Sequence, residues 1–182
     1  MTASTVQWFD DIEVGDRFES ATAYRVTEEE IREFARRYDP HPGHIDPVTA
    51  QATVFGGLAA SGWHTSAMTM KLFWESGFPV GHSVGADMDL QWPTPTRPGD
   101  ELTLVLEITD KRESRSKPDR GVVTMQWGTR NQDGEWRQRC RCTVVMFKDP
   151  AKAGTPTTPA APAVPATPAT PAQPRRKPAP RG

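Results

Sequence analysis

Apolar residues change their spacing along this chain, and the changes divide it into elements. Over residues 27–39, TEEEIREFARRYD, they fall at Ile31, Phe34, Ala35 and Tyr38, the three-and-four spacing of one helical face. Thr27 can cap this helix with Glu30 as its reciprocal partner. Glutamates crowd its first turn, and Arg36 and Arg37 occupy its last. Asp39-Pro40 then ends it, because a residue before proline is pushed out of the α region. Residues 46–55 predict a short helix with Asp46 as cap and Pro47 at its first position, broken by Gly56 and Gly57. Ser61 opens a longer helix that runs to near Gly77. Its apolar residues (Trp63, Ala67, Met68, Met70, Leu72, Phe73 and Trp74) cover most of the circumference, so it is expected to be largely buried.

From residue 83 onward the period becomes two. ELTLVLEIT puts Leu102, Leu104, Leu106 and Ile108 on one face, and GVVTMQWGT does the same with Val123, Met125 and Trp127. WRQRCRCTVVMF alternates Trp136, Gln138, Cys140, Cys142, Val144 and Met146 against a face that carries Arg137, Arg139 and Arg141. NQDGEW supplies a glycine-containing hairpin turn between the last two strands. With a first strand near Phe18 to Val26, the order is strand, helices, one apolar helix, then four antiparallel strands in a meander. The α+β solution is a single curved antiparallel sheet wrapped around the central helix.

Composition marks where this domain stops. Residues 151–182 hold nine of the eighteen prolines and no acidic or aromatic residue. Proline recurs about every third residue there, which favours extended chain and gives too little apolar surface to fold. The expected organisation is a domain over 1–150 and a disordered Pro/Ala/Thr-rich tail over 151–182. The tail takes five of the 22 basic residues, which leaves 17 against 23 acidic ones in the domain. That acidic balance argues against specific nucleic-acid binding. The N-terminal residues lack the pattern of a secretory signal, and no apolar run is long enough to span a membrane. The only cysteines, Cys140 and Cys142, share one strand face and read as reduced packing thiols, which points to a cytoplasmic protein. No metal-ligand spacing and no cofactor motif is expected.

Two stretches carry candidate chemistry. DPHPGH, residues 39–44, holds a carboxylate and two imidazoles on a segment stiffened by Pro40 and Pro42. Asp39 and His44 cannot share one helix face with two prolines between them. A stiff mount suits an acid/base pair that must orient one water molecule, and a polar turn after a helix is the alternative. FGGLAASGWHT, residues 55–65, is a glycine-rich approach to the start of the central helix. Free amides point outward there, and Gly62 lets a ligand come close to the backbone, where an amide can stabilise an oxyanion. His64, in the first turn of that helix, is expected to be a neutral packed imidazole.

Together, D-x-H-P-x-H and FGGLAASGWHT resemble the MaoC-like dehydratases, a group that includes the (R)-specific enoyl-CoA hydratases. WFDDIEVGDRF at residues 8–18 and LQWPTPTRPGDELTL at residues 90–104 extend the resemblance over nearly all of residues 7–147. It implies the hotdog fold, the helix-in-curved-sheet arrangement reached above. It further implies reversible hydration of trans-2-enoyl-CoA thioesters to (R)-3-hydroxyacyl-CoA, without cofactor or metal. By position, Asp39 and His44 match the catalytic pair and the Gly62 amide matches the oxyanion donor. Ser61, Trp63 and His41 are the expected substrate-binding residues. His41 departs from the family motif, which commonly has asparagine there to support the loop. The expected partners are an acyl-CoA or acyl-carrier-protein thioester and a second copy of the chain, with the pocket near the subunit interface. Two other functions stay open: a non-catalytic hotdog protein that binds acyl thioesters or a partner, and a thioesterase. The thioesterase reading is disfavoured because residues 63–74 contain no Asp or Glu.

Overall fold

The computed structural model describes residues 8–76 and 82–152. In chain order they form β1 (Arg17–Glu19), β2 (Tyr24–Arg25), α1 (Glu28–Tyr38), α2 (Pro42–Ile45), α3 (Pro47–Ala50), α4 (Gly62–Glu75), β3 (Ser83–Gln91), β4 (Glu101–Glu113), β5 (Arg120–Arg130) and β6 (Trp136–Phe147). The strands make one antiparallel sheet in the order β1-β4-β5-β6-β3, with β2 also on β4, and α4 packs against it in a hotdog fold. Among the described residues no helix is long and apolar enough to cross a membrane. The part of the expected tail from 153 to 182 lies outside the described residues.

The alternating pattern sets the inner face. Leu102, Leu104, Leu106 and Ile108 of β4 are fully buried, and Val123, Met125, Trp127, Cys142, Val144 and Met146 of β5 and β6 continue that layer. Cys140 and Cys142 are free and buried, as expected, and burial, with Cys142 alongside, pushes the Cys140 thiol up to about 12. α1 has the expected ends: Thr27 Oγ1 accepts from Glu30 N, and the Glu30 carboxylate reaches back to Thr27.

Three local expectations change. The first strand is broken, because the Ser20 hydroxyl accepts from Leu104 N and donates to the Thr22 carbonyl, which interrupts the ladder between β1 and β2. The meander holds for β4, β5 and β6, but β3 crosses to the far side of β6, where Leu90 faces Cys140 and Met88 faces Cys142. The β3–β4 connection therefore passes over the start of α4: Ala60 N donates to the Thr96 carbonyl, and Thr65 Oγ1 donates to Thr96 Oγ1. Within DPHPGH, His41 is extended, as suits a residue before proline, and Pro42 then opens a helical turn. Finally, α4 is not buried all round. Its inner face carries His64, Thr65, Met68, Thr69, Leu72 and Phe73, with Thr65 and Thr69 paired to Thr96 and Thr129. Trp63, Ala67, Met70 and Trp74, spaced as one helical stripe, stay exposed.

Candidate active site

Asp39 closes α1 as its C-cap, and its backbone amide donates to the Ala35 carbonyl. Two residues on, His41 caps α2: its Nδ1 accepts from Gly43 N at 3.1 Å, the task a shorter amide side chain performs at other helix starts. Pro42 at the first position needs no donor, so four residues suffice for a turn that carries His44. His44 is 5 % exposed. Its ring packs on Phe55, centroids 5.0 Å apart, and Phe55 also stands edge-on to His41. Gly43 is required here, because a Cβ would lie 2.6 Å from Phe55 Cδ2.

The His44 tautomer follows from its partner. Nδ1 lies 2.8 Å from the Ala59 carbonyl, which can only accept, so Nδ1 carries the proton. In the neutral ring Nε2 is then a free lone pair, and it faces Asp39 Oδ2 at 3.7 Å. Two acceptors at that separation do not satisfy one another. A water molecule with two donors does satisfy both, one O–H to each.

Ser61 fixes the carboxylate. Its Oγ donates to Asp39 Oδ2 at 2.7 Å and accepts from Trp63 N at 3.2 Å, so one buried hydroxyl caps α4 and aims Asp39. The next amide, Gly62 N, opens α4 with no hydrogen-bond partner among the described residues. Trp92 lies across Gly62, where a Cβ would stand 2.8 Å from the indole carbons Cδ2 and Cε2. Gln138, buried in the inner face of β6, holds Trp92: its Oε1 accepts from Trp92 Nε1 at 3.3 Å and from Ser66 Oγ at 2.7 Å. Trp63 stands edge-on to Trp92 and is 64 % exposed.

The structure thus brings Asp39, His44, Ser61 and the Gly62 amide to one place, with His41 beneath as a cap and Trp63 at the rim. His64 points elsewhere, stacked on Phe34 at 4.7 Å with its Nδ1 unpartnered; burial depresses its pKa, against the pull of Glu30. Glu75, the one carboxylate on α4, sits at the far end beside Lys71. Three parts of the site were not anticipated: the Ala59 carbonyl, the Phe55 ring and the Gln138–Trp92 pair. A polar residue at the inward-facing position 138 of an otherwise apolar strand face is the one sequence signal that points to the last.

A buried ion pair steadies the β3–β4 connection. Arg137 grips Asp100 through Nε at 2.7 Å and Nη2 at 3.0 Å, and both side chains are under a tenth exposed. Burial opposes the Arg137 charge, yet the Asp100 hydrogen bonds and charge outweigh it and raise its pKa.

Residues 11–129 match the family described as MaoC like domain. The Bacillus subtilis protein YdeM is 32 % identical over 126 residues, 68 % of this chain and 86 % of that protein. Among solved structures, the MaoC-like dehydratase from Rhodospirillum rubrum is 48 % identical, with a TM-score of 0.76 over 79 % of this chain and 99 % of that one. The (R)-hydratase from A. caviae involved in PHA biosynthesis is 24 % identical and covers 73 % of this chain and 96 % of that one. Its TM-score of 0.58 marks a likeness of fold.

Proposed function

The chain belongs to the MaoC-like dehydratase family, and from that premise we propose that it reversibly hydrates trans-2-enoyl-CoA thioesters to (R)-3-hydroxyacyl-CoA. The observation that carries this reading is the 3.7 Å gap between His44 Nε2 and Asp39 Oδ2, two acceptors aimed at one point beside an unpaired helix-start amide. A water held between them presents its oxygen to the β carbon of an enoyl thioester. The pair takes one proton from the water as the C–O bond forms. The electrons of the double bond move onto the thioester carbonyl, where the Gly62 N–H stabilises the enolate oxygen. Return of one proton to the α carbon on the same face restores the carbonyl and leaves the hydroxyl on the β carbon. Ser61 orients Asp39, His41 supports the turn, and Trp63 and Trp92 flank the acyl thioester. The likeness to the Rhodospirillum rubrum MaoC-like dehydratase supports this choice of reaction, and an (R)-hydratase shares the fold.

The protein acts in the cytoplasm as a homodimer in this reading. Trp63, Ala67, Met70 and Trp74 form an exposed apolar stripe on α4, and β3, last in the sheet order, exposes Val84 and Met88. A second copy seated on α4 covers that apolar stripe.

Loss of the enoyl-thioester absorbance with crotonyl-CoA tests the reaction, comparing wild type, Asp39→Asn and His44→Ala after each is shown to fold. The reading requires turnover by wild type, (R)-3-hydroxybutyryl-CoA as product and a fall of at least about a hundredfold in both variants. Activity that survives both substitutions rejects it.

A further inference from the structure

Arg97 lies in the β3–β4 connection, half-buried, directly after Thr96. Its guanidinium grips the backbone of the glycine-rich loop. Nη1 donates to the Gly57 carbonyl at 2.8 Å and to the Leu58 carbonyl at 3.0 Å, and Nη2 donates to the Phe55 carbonyl. Three acceptors within four residues meet one planar cation. Only a fork of fixed N–H directions matches such a set; an ammonium on a shorter stem does not.

Arg97 is itself held. Its backbone amide donates to Asp100 Oδ2 at 2.8 Å, and Asp100 is the buried partner of Arg137. On the other side, the clamped turn meets His44 twice. Phe55 carries the ring that packs against the imidazole, and Ala59, directly after Leu58, supplies the carbonyl that accepts from Nδ1. Ala59 N also donates to the Gly43 carbonyl at 3.1 Å, which ties the loop to the turn that carries His44. The backbone at Gly57, with φ of 148°, is one that side chains rarely adopt, so this loop depends on outside contacts for its shape.

We propose that Arg97 is a positioning residue for the reaction: by clamping the Phe55–Leu58 carbonyls it sets the Ala59 carbonyl and the Phe55 ring, and through them holds His44 as the Nδ1–H tautomer with Nε2 aimed at Asp39. This rests on the reading of Asp39 and His44 as the pair that holds the water. A guanidinium that points into backbone carbonyls is a scaffold cation rather than a phosphate ligand. Asp39 takes its aim from Ser61 rather than from Arg97, so the effect of removing Arg97 is expected first at the imidazole.

The test uses the full chain with ring-nitrogen-labelled histidine, with the His44 signals assigned by their loss in His44→Gln. Wild type should show the Nδ1–H tautomer in neutral solution. In Arg97→Lys and Arg97→Gln the His44 signals should move toward a tautomer mixture. With crotonyl-CoA, kcat should fall about tenfold to a hundredfold while KM changes by less than about threefold, the range typical of groups that orient a functional side chain. Arg97→Lys keeps the charge and carries the test if Arg97→Gln does not fold. Unchanged His44 signals with unchanged kcat in a folded variant overturn the proposal. A raised KM with intact kcat and intact signals also overturns it, because Arg97 would then bind substrate. If wild type turns over no enoyl thioester yet its His44 signals shift in the variants, the hydratase reading falls and the positioning role stands.

Discussion

Ser61 Oγ donates to Asp39 Oδ2 at 2.7 Å while it accepts from Trp63 N, so the start of α4 and the aim of the carboxylate depend on one hydroxyl. The two roles separate by substitution. Ser61→Ala removes both and should lower stability by about 1 kcal/mol, the usual effect of losing an N-cap. Ser61→Gly is tolerated at N-caps at a loss of only a few tenths of a kcal/mol, but it also lacks the donor. Both variants should lose about tenfold to a hundredfold in kcat, as expected for a hydrogen bond to a charged group. Urea midpoints beside initial rates check this, and a Ser61→Gly enzyme with full activity would show that Asp39 needs no such anchor.

His41 tests whether the family's asparagine and this chain's histidine do the same work. Nδ1 accepts from Gly43 N, so the cap requires a neutral ring. His41→Asn restores a side-chain oxygen at the same place and should keep kcat within about threefold. His41→Ala should lose about 1 kcal/mol of stability and a larger share of activity, because the turn it caps carries His44. Initial rates beside urea midpoints check this, and a His41→Ala enzyme with full activity and stability would mean that the cap plays no part in holding the turn.

The order of elements was legible in the sequence because each carries its own period and punctuation. Thr27, Glu30 and the Asp39-Pro40 break mark α1, and the alternation matches the buried face through Leu102–Ile108 of β4 and Cys140–Met146 of β6, while Thr124 and Arg137 are buried against the pattern. What failed did so where long-range pairing overrides local pattern. No local signal says that β3 pairs with β6 rather than β4, or that Ser20 supplies a hydroxyl to the ladder. The burial of α4 was misjudged because the apolar count ignores direction: Thr65 and Thr69 face inward, paired to the β3–β4 connection and to β5, and two tryptophans face out. Among the candidate site groups, Asp39 and His44 were readable as side-chain types at telling positions, and Gly62 as a backbone amide at a helix start. The Ala59 carbonyl and the Arg97 clamp were not, because backbone acceptors leave no mark on a sequence.

Gly62 and Trp92 make a steric pair. A methyl group at 62 would lie 2.8 Å from indole carbons, well inside ordinary contact. Gly62→Ala should therefore destabilise the protein by about 1–3 kcal/mol, the typical result of overpacking. Trp92→Leu makes room, so the double variant should be more stable than the sum of the single effects predicts. Thermal melts of the four proteins read this coupling directly. Additive losses would mean that the helix start shifts rather than the indole.

The apolar stripe on α4 should govern assembly. Met70 is 38 % exposed and Trp74 59 % exposed in the single chain, more than a soluble surface helix usually leaves uncovered at neighbouring positions. Met70→Glu with Trp74→Lys adds charge to the stripe without touching Asp39, His44, Ser61 or Gly62. Sedimentation should show wild type at twice the chain mass and the variant at one. A variant that remains dimeric would move the interface to another surface.

His64 should set part of the acid sensitivity of folding. Burial depresses its pKa below the ordinary value of 6.5, and Glu30 only partly offsets this. Unfolded chains thus bind a proton at this ring before folded ones do, and stability falls as the proton is taken up. The contribution is full above about 6.5, the unfolded value, and is lost progressively as the pH drops toward the lower folded one. Glu30 carries a depressed pKa through Tyr24 and Thr27, which outweigh its own burial, so its effect is displaced to more acidic solution. His64→Phe keeps a ring stacked on Phe34 and removes the proton site. Urea midpoints at pH 7.5 and 5.5 should fall less in His64→Phe than in wild type, with a difference of no more than about 1.4 kcal/mol per pH unit. The two proteins differ only at residue 64, so the difference reports on that position. Parallel decline of the two curves would mean that the folded protein accommodates a charged ring at that position.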